Sequence, residues 1–492
     1  MKSSLALNLL LTLTACAWFA SCNRPRPPWH PEITALTHIG VIDVAEGKLL
    51  PDQTVVVDRD RIVAVGPFGS VAIPEGAPAQ NAEGKFLIPG LVDSHIHLTA
   101  GGEPEGSRQF IIPLLLANGV TSVRDMGGYL ESLVPLRKDI RSGKFTGPDF
   151  VTPGPYLDGT PPSFQPSVVV TNRVQGEKAV DDLLARGVDF IKVQSLLHRD
   201  AYFAIAAESR RKKVAFVGHV PDRVTAAEAS RAGQHTIEHL TNVLRGCAQD
   251  EAALMRKQFR VPLHPETPAQ AHARVVAWQR RMLDQFSDPT AAALLQQFKS
   301  SDTWQTPTLI LLQNDAFPTL ANAADAENDE RLKHIPGVIR ASWKKSRADQ
   351  MARVTSDESA LRAALLQKSM DLVKQMQASG IPVLAGTDAP APYVLPGFSL
   401  HEELALLVRA GLTPAQALRA ATLTPAELLH VEKDRGSIAP GKYADLVVLD
   451  ANPLEDIHNT TKIDLVYLRG TLLYRPALDT LLEGEAQFAA TH

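Results

Sequence analysis

Six residues of this 492-residue chain combine a type that could hold and use a metal ion with a place in or at the end of an apolar run. His95 and His97 stand two apart at the end of the apolar run Leu91 to Ile96, and Lys192 sits between Ile191 and Val193. His219 closes Val214 to Gly218, His239 closes Thr236 to Glu238, and Asp388 follows Leu384 to Thr387. Side chains alternate along a β-strand, so His95 and His97 project from one face and can close on one ion. The same alternation turns Ile191 and Val193 away from Lys192 and directs its amine inward. A lone ammonium there is costly, so it must be neutralised, paired or modified. Taken singly, each residue reads as an ordinary hydrogen-bonded side chain. The series of two His, one inward Lys, two His and one Asp at successive strand ends is hard to obtain from packing alone.

The elements that must position these groups alternate between helix and strand. Gly119, Gly187, Gly233 and Gly380 each stand between a helical stretch and an apolar strand, where a helix ends on a left-handed residue. Strands are expected at Leu91–His97, Val120–Arg124, Phe150–Pro155, Val188–Val193, Val214–His219, Thr236–His239, Trp304–Leu312 and Ile381–Gly386. Eight such strands favour an α/β fold of the (β/α)8 barrel type over 89–430, with the polar residues at its carboxyl ends, the catalytic face of such barrels. The charged, Gly-poor interval at about 247–301 reads as a helical insertion over the barrel mouth. Short strand patterns at 33–88 and again at 431–476 imply a small β-sandwich domain assembled from both ends of the chain.

Composition narrows the partners. A net charge of −4 with 45% hydrophobic and 21% charged residues offers no field for nucleic acid, so a small-molecule substrate is expected. Residues 1–22 have the charged start and apolar middle of a signal segment. Cys16 and Cys22 lie in stretches that resemble a bacterial lipobox, and the Pro-rich stretch 23–32 reads as a tether. Export to the cell envelope, with membrane contact only through a lipid on Cys22 or Cys16, is the expectation. Only Cys247 remains beyond the signal, so a metal must be held by His, carboxylate or Lys.

The joined motifs resemble the amidohydrolase superfamily of metal-dependent barrel hydrolases. The resemblance rests on Pro89 to His97, Phe190 to Val193, Gly218-His219-Val220-Pro221, Ile237 to Leu240, Gly386 to Ala389 and the tail Gly436 to Val447. It implies two divalent metal ions, usually zinc, with Lys192 carboxylated by carbon dioxide to a bridging carbamate. By the resemblance, His95, His97 and Asp388 hold one ion and His219 and His239 the other. A hydroxide between the metals attacks, and Asp388 is the general acid/base. The Ile-Lys-Val and Gly-His-Val-Pro stretches are most similar to the branch with Xaa-Pro and Xaa-Arg dipeptidases and imidazolonepropionase-like proteins, which implies cleavage of a dipeptide or N-acyl amino acid. Single-metal deaminases and cyclic-amide hydrolases often carry a glutamate three places after the fifth-strand His. Here that place is Asp222, which weakens this alternative. A third reading is a non-catalytic lipoprotein that binds metal or ligand. Arg124 to Tyr129 is placed either for substrate contact or for a structural ion pair, and His401-Glu402-Glu403 either lines the pocket or begins a solvated helix.

Overall fold

The computed structural model describes residues 33–99, 107–258, 266–316 and 328–491. The expected signal and tether lie outside the described residues. Seven short parallel strands follow one another as Leu91–Ile96, Val120–Asp125, Asp149–Val151, Ile191–Val193, Phe216–Gly218, Thr236–Glu238 and Trp304–Thr306. Neighbours pair in parallel from the first to the third and from the fourth to the seventh. The Asp189 N–H donates to the Thr152 carbonyl at 2.9 Å and joins the third to the fourth. The eighth stave joins through isolated bridges, with Leu384 N–H donating to the Gln305 carbonyl and Ser94 N–H to the Ala385 carbonyl, both at 2.9 Å, among other bonds. These bonds close the barrel. All four glycines expected at helix ends have left-handed backbone, with φ of 74° at Gly119, 82° at Gly187, 89° at Gly233 and 75° at Gly380.

The terminal segments form an eight-stranded, sandwich-like sheet. Its order runs Thr471–Tyr474, Ile463–Leu468, Leu446–Leu449, Phe86–Pro89, Ile33–Asp43, Lys48–Asp58 and Arg61–Pro67, with Ala79–Asn81 also on Ile33–Asp43. The strand Leu446–Leu449 is buried throughout because its two faces serve two cores. Leu446 and Val448 pack with Leu36, Val55, Ile62 and Tyr467, whereas Val447 and Leu449 join the large core of the barrel and its helices. A two-residue period explains a continuous apolar run between two layers.

Two local expectations give way. The run from Trp304 to Leu312 leaves the sheet at Thr306, and Leu309–Ala316 is a helix, since a short apolar run suits either state. Within the interval 247–301, Asp288–Ser300 is a barrel helix packed on Ala226–Arg231, where the Ser230 hydroxyl lies 3.4 Å from the Gln297 carbonyl. The added helices are Glu251–Gln258 and Pro268–Asp284. The latter meets the barrel's flank through His272 Nε2 and Glu358, 2.8 Å apart. The helix Arg475–Thr491 extends past the expected end of the terminal domain and packs on Ile112–Ala117.

His401-Glu402-Glu403 lies in the helix Phe398–Arg409, and only Glu402 is partly open to solvent. His401 is buried and its Nδ1 is 3.0 Å from the Thr460 hydroxyl. Glu403 is sealed in, and its Oε2 accepts the Ile310 N–H at 2.8 Å in the first turn of Leu309–Ala316. Burial raises the Glu403 carboxyl to about 8. An unfolded glutamate titrates near ~4.3, so between those values the folded chain keeps a proton that the unfolded chain has lost. Stability therefore falls as pH climbs through that window. Thermal melts from pH 5 to 8 should show this decline in the native protein. Glu403→Gln, which keeps the acceptor, should remove a part of it on the order of a few kcal/mol; equal slopes would show that the group is not buried as an acid.

Candidate metal centre

The strand Leu91–Ile96 delivers His95 and His97 at its carboxyl end with both Nδ1 atoms tied down from behind. His95 Nδ1 is 2.8 Å from Glu238 Oε2, and His97 Nδ1 donates to the Gly127 carbonyl at 2.9 Å. Both Nε2 atoms then point at one oxygen, Asp388 Oδ1, at 3.2 Å from His95 and 3.0 Å from His97. One ligand atom from each of these three residues lies within 4.8 Å of the others. Such an arrangement, with each Nδ1 held by an acceptor and each Nε2 aimed inward, fits ligation by neutral imidazoles. Burial lowers the pKa of His97, but its bond to Asp388 prevails and raises it.

Lys192 is buried, with Nζ 3.5 Å from His95 Nε2. Burial pulls its amine down to about 8 against the charges of Glu238 and Asp388. His219 and His239 complete the ring. His219 Nδ1 lies 2.8 Å from the Ser195 hydroxyl, and His239 Nδ1 lies 2.7 Å from that of Thr308. The Thr308 hydroxyl donates to the Pro307 carbonyl, so it accepts from His239 Nδ1 and leaves Nε2 bare. Burial, with neighbouring His95 and Lys192, brings His239 to about 3, and burial with His239 and Lys192 places His219 well below its usual value. Both rings stay neutral and able to bind metal. Ring centres are 4.5 Å apart for His95 and His239, and 5.0 Å for His219 and His239. All six residues singled out from the sequence therefore meet at one end of the barrel.

Asp388 reaches the centre from a backbone at φ +66°, a conformation Asp tolerates better than most residues. Its N–H donates to the His95 carbonyl at 2.7 Å. Gly386 lets the two strands touch, since a Cβ there would lie 2.8 Å from that of His95. Burial alone would raise the Asp388 carboxyl, but His239 and His95 outweigh it and hold it well below the carboxylate range.

Three residues outside the six orient them. Arg124 is an ion-pair residue. Its Nη2 donates to both oxygens of Glu238 at 2.9 and 3.0 Å, and its Nε donates to the Ser94 carbonyl at 2.7 Å. Glu238 in turn holds His95. Asp93 accepts the Thr387 hydroxyl at 2.6 Å and the His95 N–H at 3.1 Å, and burial raises its carboxyl to about 7. The signal for Glu238 was present, a charge flanked by Ile237 and His239 on a strand. Asp222 has its own partner, the Asn242 side-chain amide at 3.3 Å.

The fold and this cluster define an α/β barrel with a candidate metal centre at its carboxyl end. The chain belongs to the amidohydrolase family, whose model matches residues 86–473. Ochratoxinase of Aspergillus niger is 22% identical over 453 residues, covering 86% of this chain and 82% of that protein. The solved structure of a bottromycin amidohydrolase is 24% identical with a TM-score of 0.71, covering 94% of this chain and 91% of that one. An adenine deaminase of Paracoccus denitrificans is 30% identical over 83 residues, which cover 17% of this chain and only 13% of that relative's length.

Because Glu238 fixes the direction of His95, Glu238→Gln should weaken metal binding by roughly 10–100-fold. Equilibrium dialysis against a competing chelator measures this. Unchanged affinity in a folded variant would deny Glu238 its orienting role.

Proposed function

We propose that the chain hydrolyses an amide bond of a dipeptide or N-acyl amino acid with the help of two divalent metal ions, zinc in the first instance. In this reading His95, His97 and Asp388 hold one ion and His219 and His239 the other. Lys192, carboxylated by carbon dioxide, is shared between them. The observation that carries the reading is the buried Lys192 amine, 3.5 Å from His95 Nε2 and without a carboxylate at ion-pair distance among the described residues. A buried amine brought down to about 8 has a neutral fraction that can add to carbon dioxide and lose a proton. The resulting anion suits a polycationic centre better than an ammonium does.

Bound divalent ions would polarise the scissile carbonyl and lower the pKa of water from 15.7 toward roughly 7. The chain's own part falls to Asp388. Its carboxyl stays ionised, so it can take the proton of the attacking water and return it to the departing amine. Membership of the amidohydrolase family supports carbon–nitrogen bond cleavage. So does the near full-length match to a protein named an amidohydrolase. The match to adenine deaminase is confined to a short stretch, and Asp222 is bound to Asn242. Export and a lipid on Cys22 or Cys16 would put the activity in the cell envelope.

The test is metal content per chain with and without bicarbonate, followed by dipeptides and N-acyl amino acids set against ammonia-releasing ring substrates. Lys192→Ala should lose metal and nearly all activity. A Lys192→Ala protein with two metals and full activity removes the carbamate. Ammonia released from a ring substrate with no peptide cleaved makes the enzyme a deaminase instead.

A further inference from the structure

A cavity of about 480 Å³ opens at the amino ends of the barrel strands, opposite the metal centre. Phe190, Ala215 and Val217, in or next to the barrel strands, wall it on one side, and the chain from Thr422 to Asp445 walls it on the other. Phe190 precedes Lys192 by two residues and Val217 precedes His219 by two, so both face inward one layer beneath the centre. The cavity is thus separate from the catalytic mouth, and Arg124 stands in the layer between them, lining the cavity while holding Glu238.

The charges on its walls are unequally committed. Asp149 is taken by Arg141 and Arg435, Asp445 by Arg435 and the Arg469 N–H, and Asp189 by Arg137 and the Thr152 N–H. Lys213, also on the wall, has no ion-pair partner among the described residues. It is exposed and stands in left-handed backbone at φ +58°, directly after the helix Arg199–Lys212. His430, at φ +56°, is exposed on the opposite wall. The uncommitted ammonium on these walls is Lys213, whereas the acids are all satisfied, and the surfaces between them are apolar at Phe190, Val217 and Leu428. The volume is in the range of small-molecule sites, about 300–1,000 Å³.

We propose that this cavity binds an amphipathic monocarboxylate, its carboxylate on Lys213 and its apolar body against Phe190, Val217 and Leu428. A single uncommitted ammonium suits one negative charge better than a phosphate dianion, which calls for several free donors. The proposal holds whatever the metal centre hydrolyses.

Isothermal titration of the full chain with 3-phenylpropionate and with its neutral amide tests it. The acid should bind up to about fivefold more tightly than the amide, the most that one partly exposed charge pair allows. Lys213→Ala should remove that difference. Ala215→Trp, which places a ring in the cavity from an exposed position, should abolish binding of both probes. Equal binding of acid and amide, undiminished binding in both variants, or no binding up to the solubility of the acid overturns the proposal. Undiminished binding would also show that the probe sits elsewhere, the metal centre included. If Ala215→Trp does not fold, Lys213→Ala with the two probes still decides.

Discussion

The bond chain from Arg124 through Glu238 to His95 is the interaction on which the site depends. A carboxylate with no exposed surface is tolerable only when other groups take its lone pairs, and here the guanidinium and the imidazole do so. Arg124 also reaches Thr236 and Thr306, at 3.1 and 3.0 Å, and so touches side chains of the sixth and seventh strands as well as the backbone of the first. Orientation of the first ligand and packing of the barrel interior are therefore one problem. Removing either charge would leave the other buried and unpaired, which costs several kcal/mol in proteins generally.

A second support acts on the opposite side of His95. Asp93 gathers the Thr387 hydroxyl, the Thr387 N–H and the His95 N–H, and so locks the first strand to the turn that carries Asp388. The ligands are thus held by backbone and buried carboxylates behind them, and the rings retain little freedom. The rigidity explains how the imidazoles can be kept crowded at ring separations near 5 Å.

Much of this was legible in the sequence because alternation is a strong signal. Lys192 between two aliphatic residues, and histidines at the ends of apolar runs, can point in only one useful direction. The four glycines located the helix ends because left-handed backbone has few occupants. What escaped was decided by tertiary contact. Asp93 gains meaning only through partners remote in the chain, and the partners of Glu238, Arg124 and His95, are equally remote. His401 and Glu403 read as a polar helix start, yet packing against Thr460 and Leu309–Ala316 buries them. The run after Thr306 left the sheet for a helix because periodicity does not separate the two over so few residues.

Asp93 and Thr387 are 294 residues apart in the chain, and their bond lies on the line where the first and eighth strands meet. That line is the seam of the barrel, and His95, His97 and Asp388 straddle it. Contacts of such long range cost the most loop entropy. A fluctuation that parts only these two strands, with every helix still folded, would separate His95 and His97 from Asp388, so the geometry of the candidate centre depends on the integrity of the ring.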